Sequence, residues 1–246
     1  MIPAIKKIIK KIAPNYFIRF YQKIILNREI KLYKKLDTEN KFSHIYKNNV
    51  WGNNIENKFY SGSGTHNPLI INPYIKVIKE LLNQEQSSTV VDLGCGDFNI
   101  GSNFVKLTKK YYAIDVFEDL IKLNKEKFHY SNLEFIKRDI TKDDLPHADF
   151  CIVRQVLQHL SNEDIISFLR NINNKYKFLI ITEHVPSGKF KSNINIETSH
   201  STRLILNSGV VLHHPPFNLN FKKMKEILNI SNVLNEGNIS TILYTL

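Results

Sequence analysis

The run Val90-Val91-Asp92-Leu93-Gly94-Cys95-Gly96-Asp97-Phe98-Asn99-Ile100-Gly101 constrains this chain more than any other. Two β-branched residues lead into an acid, and two glycines then bracket a small residue. β-Branched side chains favour extended backbone, and glycine permits a sharp turn and close approach of main chain to a ligand. A helix is expected from Ile100 to Lys109, and free N–H groups at such a start carry partial positive charge. A buried strand, a tight turn and a helix start, in that order, make a cradle for a small molecule or nucleotide. A dinucleotide cradle wants a third glycine three residues after the second. That place holds Asn99.

The rest of the pattern alternates. Strands are expected at 88–93, 110–115, 132–137, 149–154 and 176–182, and helices at 67–82, 100–109, 117–128 and 162–172. Such alternation predicts an α/β fold, a parallel sheet with helices on both faces. Right-handed crossovers then bring every strand's C-terminal end to one edge, where open α/β sheets bind ligands. Asp92, Asp115, Asp139, Arg154 and Glu183 all fall at that edge. Farther on, a helix is expected at 221–229. Strands at 230–234 and 239–246 then form an antiparallel hairpin, with no further domain expected after it.

The D-x-G-x-G run from Asp92 to Gly96, with acids at the ends of the next two strands, resembles class I S-adenosylmethionine-dependent methyltransferases over roughly residues 60–246. The resemblance implies a Rossmann-like seven-stranded sheet, mostly parallel with a C-terminal antiparallel hairpin, and S-adenosylmethionine as cofactor. It implies that Asp92, Gly94, Gly96 and Asp97 lie against the cofactor's methionine and ribose. Asp115, with Val116, would take the ribose hydroxyls, since a carboxylate accepts both hydrogen bonds of a vicinal diol. Asp139 and Ile140 would meet the adenine, Arg154 and Gln155 would also bind the cofactor, and the run from Gln155 to Leu160 would border the active site. The family's frequent third glycine falls at Phe98. The segment from Ile45 to Trp51, with Ser61-Gly62-Ser63-Gly64, resembles methyltransferases that tailor bacterial surface polysaccharides, where it would fold over the methionine end. It lacks the lysine of a phosphate-binding loop.

Methyl transfer from a sulfonium needs positioning, and for a hydroxyl acceptor a base within reach. His159, just past the fourth strand, is the first candidate base; Glu183 and His184 are the second. The long connection 185–220 offers His200, Arg203 and His213 to an acceptor, and the planar fork of Arg203 suits a phosphate or carboxylate. His213-His214 has no third ligand at metal spacing, so no metal is expected. The function expected is O-methylation of a sugar, glycan precursor or phosphate-type substituent in surface-polysaccharide biosynthesis. The alternatives are N-methylation of a small amine or RNA, and a non-catalytic S-adenosylmethionine-binding subunit. Intact Asp92, Gly94, Gly96 and Asp115 count against the last.

Charge is unevenly placed. The net charge is +11, and residues 1–36 carry ten Lys/Arg against Glu29 alone, leaving 24 basic and 22 acidic residues elsewhere. Without a basic stripe across the sheet domain, no nucleic-acid partner is expected. Ile2, Ile5, Ile8, Ile9 and Ile12 recur at helical spacing among lysines. A basic amphipathic extension over 1–48 is therefore expected ahead of a methyltransferase domain over 49–246. Its arm, residues 1–36, would lie on an anionic membrane or pack on the domain. There is no compact apolar signal region and no apolar stretch of spanning length. Cys95 and Cys151 read as free thiols of a reducing compartment. A cytoplasmic protein, peripheral at the inner membrane face, is the expectation.

Overall fold

The computed structural model describes residues 31–53, 58–85, 88–231 and 237–246. Seven strands form one sheet: β1 Thr89–Leu93, β2 Lys110–Asp115, β3 Leu133–Lys137, β4 Ala148–Arg154, β5 Tyr176–Val185, β6 Lys223–Ile230 and β7 Asn238–Thr245. Their order is β3-β2-β1-β4-β5-β7-β6. The first five run parallel, while β7 is antiparallel to β5 and β6. Strand order reverses between β1 and β4, which opens a crevice at their C-terminal ends. Helices α1 Thr38–Lys47, α2 Pro68–Gln84, α3 Glu118–Lys127 and α4 Asn162–Asn171 surround the sheet.

The two-residue period of the strands divides the core between the two faces. Val91, Leu93, Cys151, Val153, Leu179 and Ile181 pack with Ile165 and Phe168 of α4. Val90, Phe150, Ile152 and Ile180 pack with Tyr74, Ile78 and Leu82 of α2. The α2 start follows from Asn67, whose side chain accepts the Leu69 N–H, and from Pro68 in the first turn. Ser161 caps α4 by accepting the Asp164 N–H.

Two expected elements are corrected. Residues 100–109 form no α-helix but two short 3-10 turns, Gly101–Asn103 and Val105–Leu107. Local side chains compete with the helical ladder there. Ser102 Oγ and Asn103 Nδ2 donate to the Asn99 carbonyl, Asn103 Nδ2 also to that of Ile100, and Thr108 Oγ1 to that of Val105. Residues 221–229 hold strand β6 in place of a helix. Met224, Ile227 and Leu228 imitate a helical period because a β-bulge between Glu226 and Leu228 breaks the alternation. β6 is an edge strand, so Lys223 to Glu226 stay exposed and give no strand-like apolar face. The strand expected at 230–234 is displaced with it: β6 ends at Ile230, and residues 232–236 lie outside the described residues.

Of the amphipathic arm expected over residues 1–36, residues 1–30 also lie outside the described residues. The helix that follows, α1, is tied to the sheet body. Ion pairs join Glu39 to Lys137 (2.6 Å), Lys41 to Glu197 (3.0 Å) and Lys47 to Asp119 (3.1 Å). Tyr46 stacks on Phe117 at 5.4 Å. Among the described residues no helix is long and apolar enough to cross a membrane.

Candidate active site

A cavity of about 410 Å³ opens at the C-terminal ends of β1, β2 and β4. The glycine turn forms its rim. Gly94 has φ 77°, and a Cβ there would meet Val156 Cγ2 at 2.4 Å; a Cβ on Gly96 would meet Ser61 Oγ at 2.6 Å. Both positions need glycine for conformation and for space. Phe98 takes the left-handed φ of 59° without being glycine. Its fully buried ring packs edge-on against Tyr111, Phe128 and Phe135, which anchors the turn from the core side.

Asp115 ends β2 with its carboxylate at the cavity. Oδ2 accepts the Gly96 N–H and Oδ1 the Phe117 N–H, both at 3.1 Å. Each oxygen has a second lone pair for a ligand. Burial pushes this carboxyl up, and the two N–H groups oppose that shift. Val116, Asp139 and Ile140 line the neighbouring wall. For Asp139, burial is outweighed by the Thr141 hydroxyl and N–H bonds, which hold it below the usual range.

Opposite charges share the floor. Arg154 Nη2 donates to the Gly64 carbonyl at 2.7 Å, and the guanidinium lies 5.0 Å from the Tyr74 ring centroid. Arg154 Nε is buried without a hydrogen-bond partner. Asp92 accepts the Tyr111 hydroxyl at 3.0 Å, and burial pushes its carboxyl up to about 7.

A strap, Ser61–Thr65, crosses the glycine turn and lines the cavity. Asp97 pins it. Its Oδ2 accepts the Ser61 N–H at 3.1 Å and meets His66 Nε2 at 2.6 Å, while the Asp97 N–H donates to Ser61 Oγ. Asp97, expected against the cofactor, thus lies off the cavity and holds its cover. The α1 helix adds Thr38, Phe42 and Tyr46 to the lining, spaced four apart on one face. Tyr46 belongs to the segment expected over the methionine end, but Thr38 and Phe42 were missed. The stripe was legible, but it read as the end of a basic extension.

The remaining wall carries His159, His200, Gln158, Thr202 and Trp51. His159 Nδ1 lies 3.2 Å from the Ser201 carbonyl, which only accepts, so Nδ1 carries the hydrogen. Gln158 Oε1 accepts the His184 N–H at 3.0 Å, which leaves its Nε2 to donate to His159 Nε2 at 3.2 Å. Both contacts assign the same tautomer, with the Nε2 lone pair as acceptor. Burial pushes the imidazole down to about 4, so it is neutral at neutral pH.

Several expected site residues are elsewhere. Glu183 lies off the cavity, accepting the Leu157 and Gln158 N–H groups at 3.1 and 2.9 Å; burial pushes it up to about 8. His184 contributes its main chain to Gln158 and lies off the cavity too. Arg203 clamps no ligand. Its Nε donates to Ile194 O, Nη1 to Leu157 O and Gln158 O, and Nη2 to Leu160 O and Asn162 Oδ1. All five guanidinium hydrogens are committed to protein acceptors. His213 bonds the Tyr244 hydroxyl at 3.1 Å, away from the cavity. The cavity gathers Asp92, Gly94, Gly96, Asp115, Val116, Asp139, Ile140, Arg154, Gln155, His159 and His200.

Residues 91–177 match the family model described as a methyltransferase domain. Over that stretch the chain is similar to methyltransferase domains, and S-adenosylmethionine is the cofactor that this match and the residues of the site support. The fold agrees. An S-adenosylmethionine-dependent methyltransferase from Clostridium acetobutylicum superposes with a TM-score of 0.52 at 13% identity, covering 85% of this chain and 99% of that one. The N-methyltransferase NodS from Bradyrhizobium japonicum, in complex with S-adenosyl-L-homocysteine, gives 0.51 at 13% identity, covering 73% and 89%. Among curated proteins the chain is similar to ribosomal RNA small subunit methyltransferase A of Mycoplasma capricolum, 24% identical over 133 residues, covering 49% of this chain and 50% of that one. The protein of the same name from Mycoplasma mycoides is 31% identical over 71 residues, covering 29% of this chain and 27% of that one. The chain spans about half the length or less of these curated relatives. Their names overturn the expectation that nucleic acid plays no part. Weak overall charge asymmetry in the sheet domain was too blunt a criterion, since charge speaks to steering and not to the acceptor atom.

The residues present fit the cofactor. A zwitterionic amino-acid end needs a cation and an anion side by side, and Arg154 offers an unpartnered buried nitrogen beside Asp92. A ribose diol needs a carboxylate with spare lone pairs, which Asp115 has. The cavity volume falls in the range of small-ligand pockets, about 300–1,000 Å³.

Proposed function

We propose that this chain transfers the methyl group of S-adenosylmethionine to a hydroxyl of a sugar-type acceptor, as in the tailoring of surface polysaccharides. The observation that supports this reading is the acceptor wall. Trp51, Gln158, His159, His200 and Thr202 combine one aromatic face with hydrogen-bonding groups, while the charged lining residues Asp92, Asp115, Arg138, Asp139 and Arg154 stand at or just past the ends of β1 to β4. A neutral polyol finds partners there. A charged acceptor would lose its hydration with no counter-charge in return.

The cofactor, when bound, supplies an electrophilic methyl group and its own leaving group. The protein supplies position. Asp115 holds the ribose, Arg154 and Asp92 hold the amino-acid end, and the strap and α1 exclude water above them. Neutral His159 would accept the acceptor's hydroxyl hydrogen at Nε2 by exchanging it for the Gln158 amide hydrogen held there, and the freed Gln158 N–H would then donate to the acceptor. Its low basicity makes it an orienting acceptor: as the O–C bond formed and the S–C bond broke, the hydroxyl proton would be released to water and not kept on the imidazole.

A second reading, N-methylation of a nucleobase in RNA, is favoured by the names of the curated relatives. The two separate in one experiment. Full-length protein with methyl-labelled S-adenosylmethionine is offered nucleotide sugars and surface-glycan fragments in one tube, and ribosomal RNA in another. Label is expected in the glycan fraction. Label confined to RNA would overturn the sugar reading in favour of the second.

A further inference from the structure

The long connection between β5 and β6 was expected to reach the acceptor with its side chains. It does something else with the most costly of them. Arg203 is 1% exposed and Glu183 2%, so two ionisable groups are taken out of water. Buried charges are expensive to the fold, and apolar residues of similar size often serve stability as well. Their hydrogen bonds show where that cost goes. Glu183 takes the N–H groups of Leu157 and Gln158, and Arg203 takes the carbonyls of Leu157, Gln158 and Leu160. The peptide unit between Leu157 and Gln158 is held at both ends, its carbonyl by the Arg203 guanidinium and its N–H by the Glu183 carboxyl. The Ser199 N–H donates to the His159 carbonyl, and Ser201 O receives the imidazole, so the same connection also holds His159.

We infer that Arg203 and Glu183 are positioning residues: from outside the cavity they set the main chain of 156–160, and through it the orientation of Gln158 and His159 toward the acceptor. This deepens the reading of the cavity as an S-adenosylmethionine site and rests on it. The cofactor floor, by contrast, stands on β1, β2 and the Arg154 end of β4, outside the grip of this brace. The two parts of the cavity are therefore separable by mutation.

Trp51, the single tryptophan of the chain, reports on the wall because its ring centroid is 5.2 Å from that of His159. A protonated imidazole at that distance quenches indole emission. The groups that bear on His159 are His200 and Arg203 from the long connection, Glu183 behind the loop, and Gln158 beside it. In the wild type, emission is expected to stay flat from pH 8 down to pH 5, because burial pushes His159 down to about 4. Arg203→Lys keeps a charge but loses the fork. In that variant a quenching limb should appear between about pH 5 and 7, the ordinary imidazole range. Adding His159→Gln should abolish the limb, which assigns it to His159 and not His200. S-adenosyl-L-homocysteine affinity should stay within about twofold of wild type, well under the 1.4 kcal/mol of a tenfold change. Glu183→Gln should behave alike and carries the test if Arg203→Lys does not fold. Folded variants with wild-type emission across the pH range would overturn the inference. So would a parallel tenfold loss of S-adenosyl-L-homocysteine affinity, which marks general damage. A wild type that fails to bind S-adenosyl-L-homocysteine would sink the cofactor reading instead, while the emission limb still judges the brace.

Discussion

Arg154→Met is expected to weaken S-adenosyl-L-homocysteine binding about 100-fold, or roughly 2.7 kcal/mol. The guanidinium is buried at the floor, with one nitrogen on Gly64 O and Nε unpartnered. A carboxylate arriving there would gain charge-assisted bonds in a dry site, the strong class of protein hydrogen bond. Removing the cation has a second effect, since it leaves Asp92 buried without its counter-charge. Asp92 then keeps the Tyr111 hydroxyl but loses a nearby positive charge against its burial, so some of the loss will appear as lower stability. Methionine keeps the packing against Tyr74. Calorimetric titration beside a thermal melt separates the two effects. Arg154→Lys should recover part of the affinity, because it restores charge without the planar fork. Affinity within threefold of wild type in a folded Arg154→Met protein would show that the floor does not hold the amino-acid end.

Asp115→Ala should lower the same affinity by at least about tenfold, equivalent to about 1.4 kcal/mol. The carboxylate has two duties. It holds the Gly96 and Phe117 N–H groups, and its remaining lone pairs face the cavity. Alanine removes both, so the glycine turn loosens as the ribose contact is lost. Asp115→Asn keeps one carbonyl acceptor and should fall between alanine and wild type. An alanine variant that folds and binds as tightly as wild type would remove Asp115 from the cofactor site.

The half of the cavity proposed for the cofactor was legible because its residues are tied to strand ends. Once the alternation marks β1, β2 and β4, Asp92, Asp115 and Arg154 must arrive at one edge. The turn glycines announce a close approach that a Cβ would block. The acceptor half was less legible, because its geometry depends on contacts distant in sequence. Arg203 carries the right chemistry for an anion, yet the carbonyls of Leu157, Gln158, Leu160 and Ile194 and the side-chain oxygen of Asn162 use up its donors. Nothing local to Arg203 announces those partners. Glu183 falls at the predicted edge but turns to the loop behind the wall. β6 failed for a different reason: a bulge on an exposed edge strand mimics a helical period over a few residues. The turns after Gly101 failed because Ser102, Asn103 and Thr108 bond their own backbone, a competition that apolar periodicity does not register.

The most direct test of the account is a calorimetric titration of the full-length protein with S-adenosyl-L-homocysteine at neutral pH. The account predicts saturable binding at one site per chain in the micromolar range, about −8 kcal/mol, sharply reduced in Arg154→Met and Asp115→Ala. No saturable heat at millimolar ligand, from a protein shown to be folded by its cooperative melt, would contradict it.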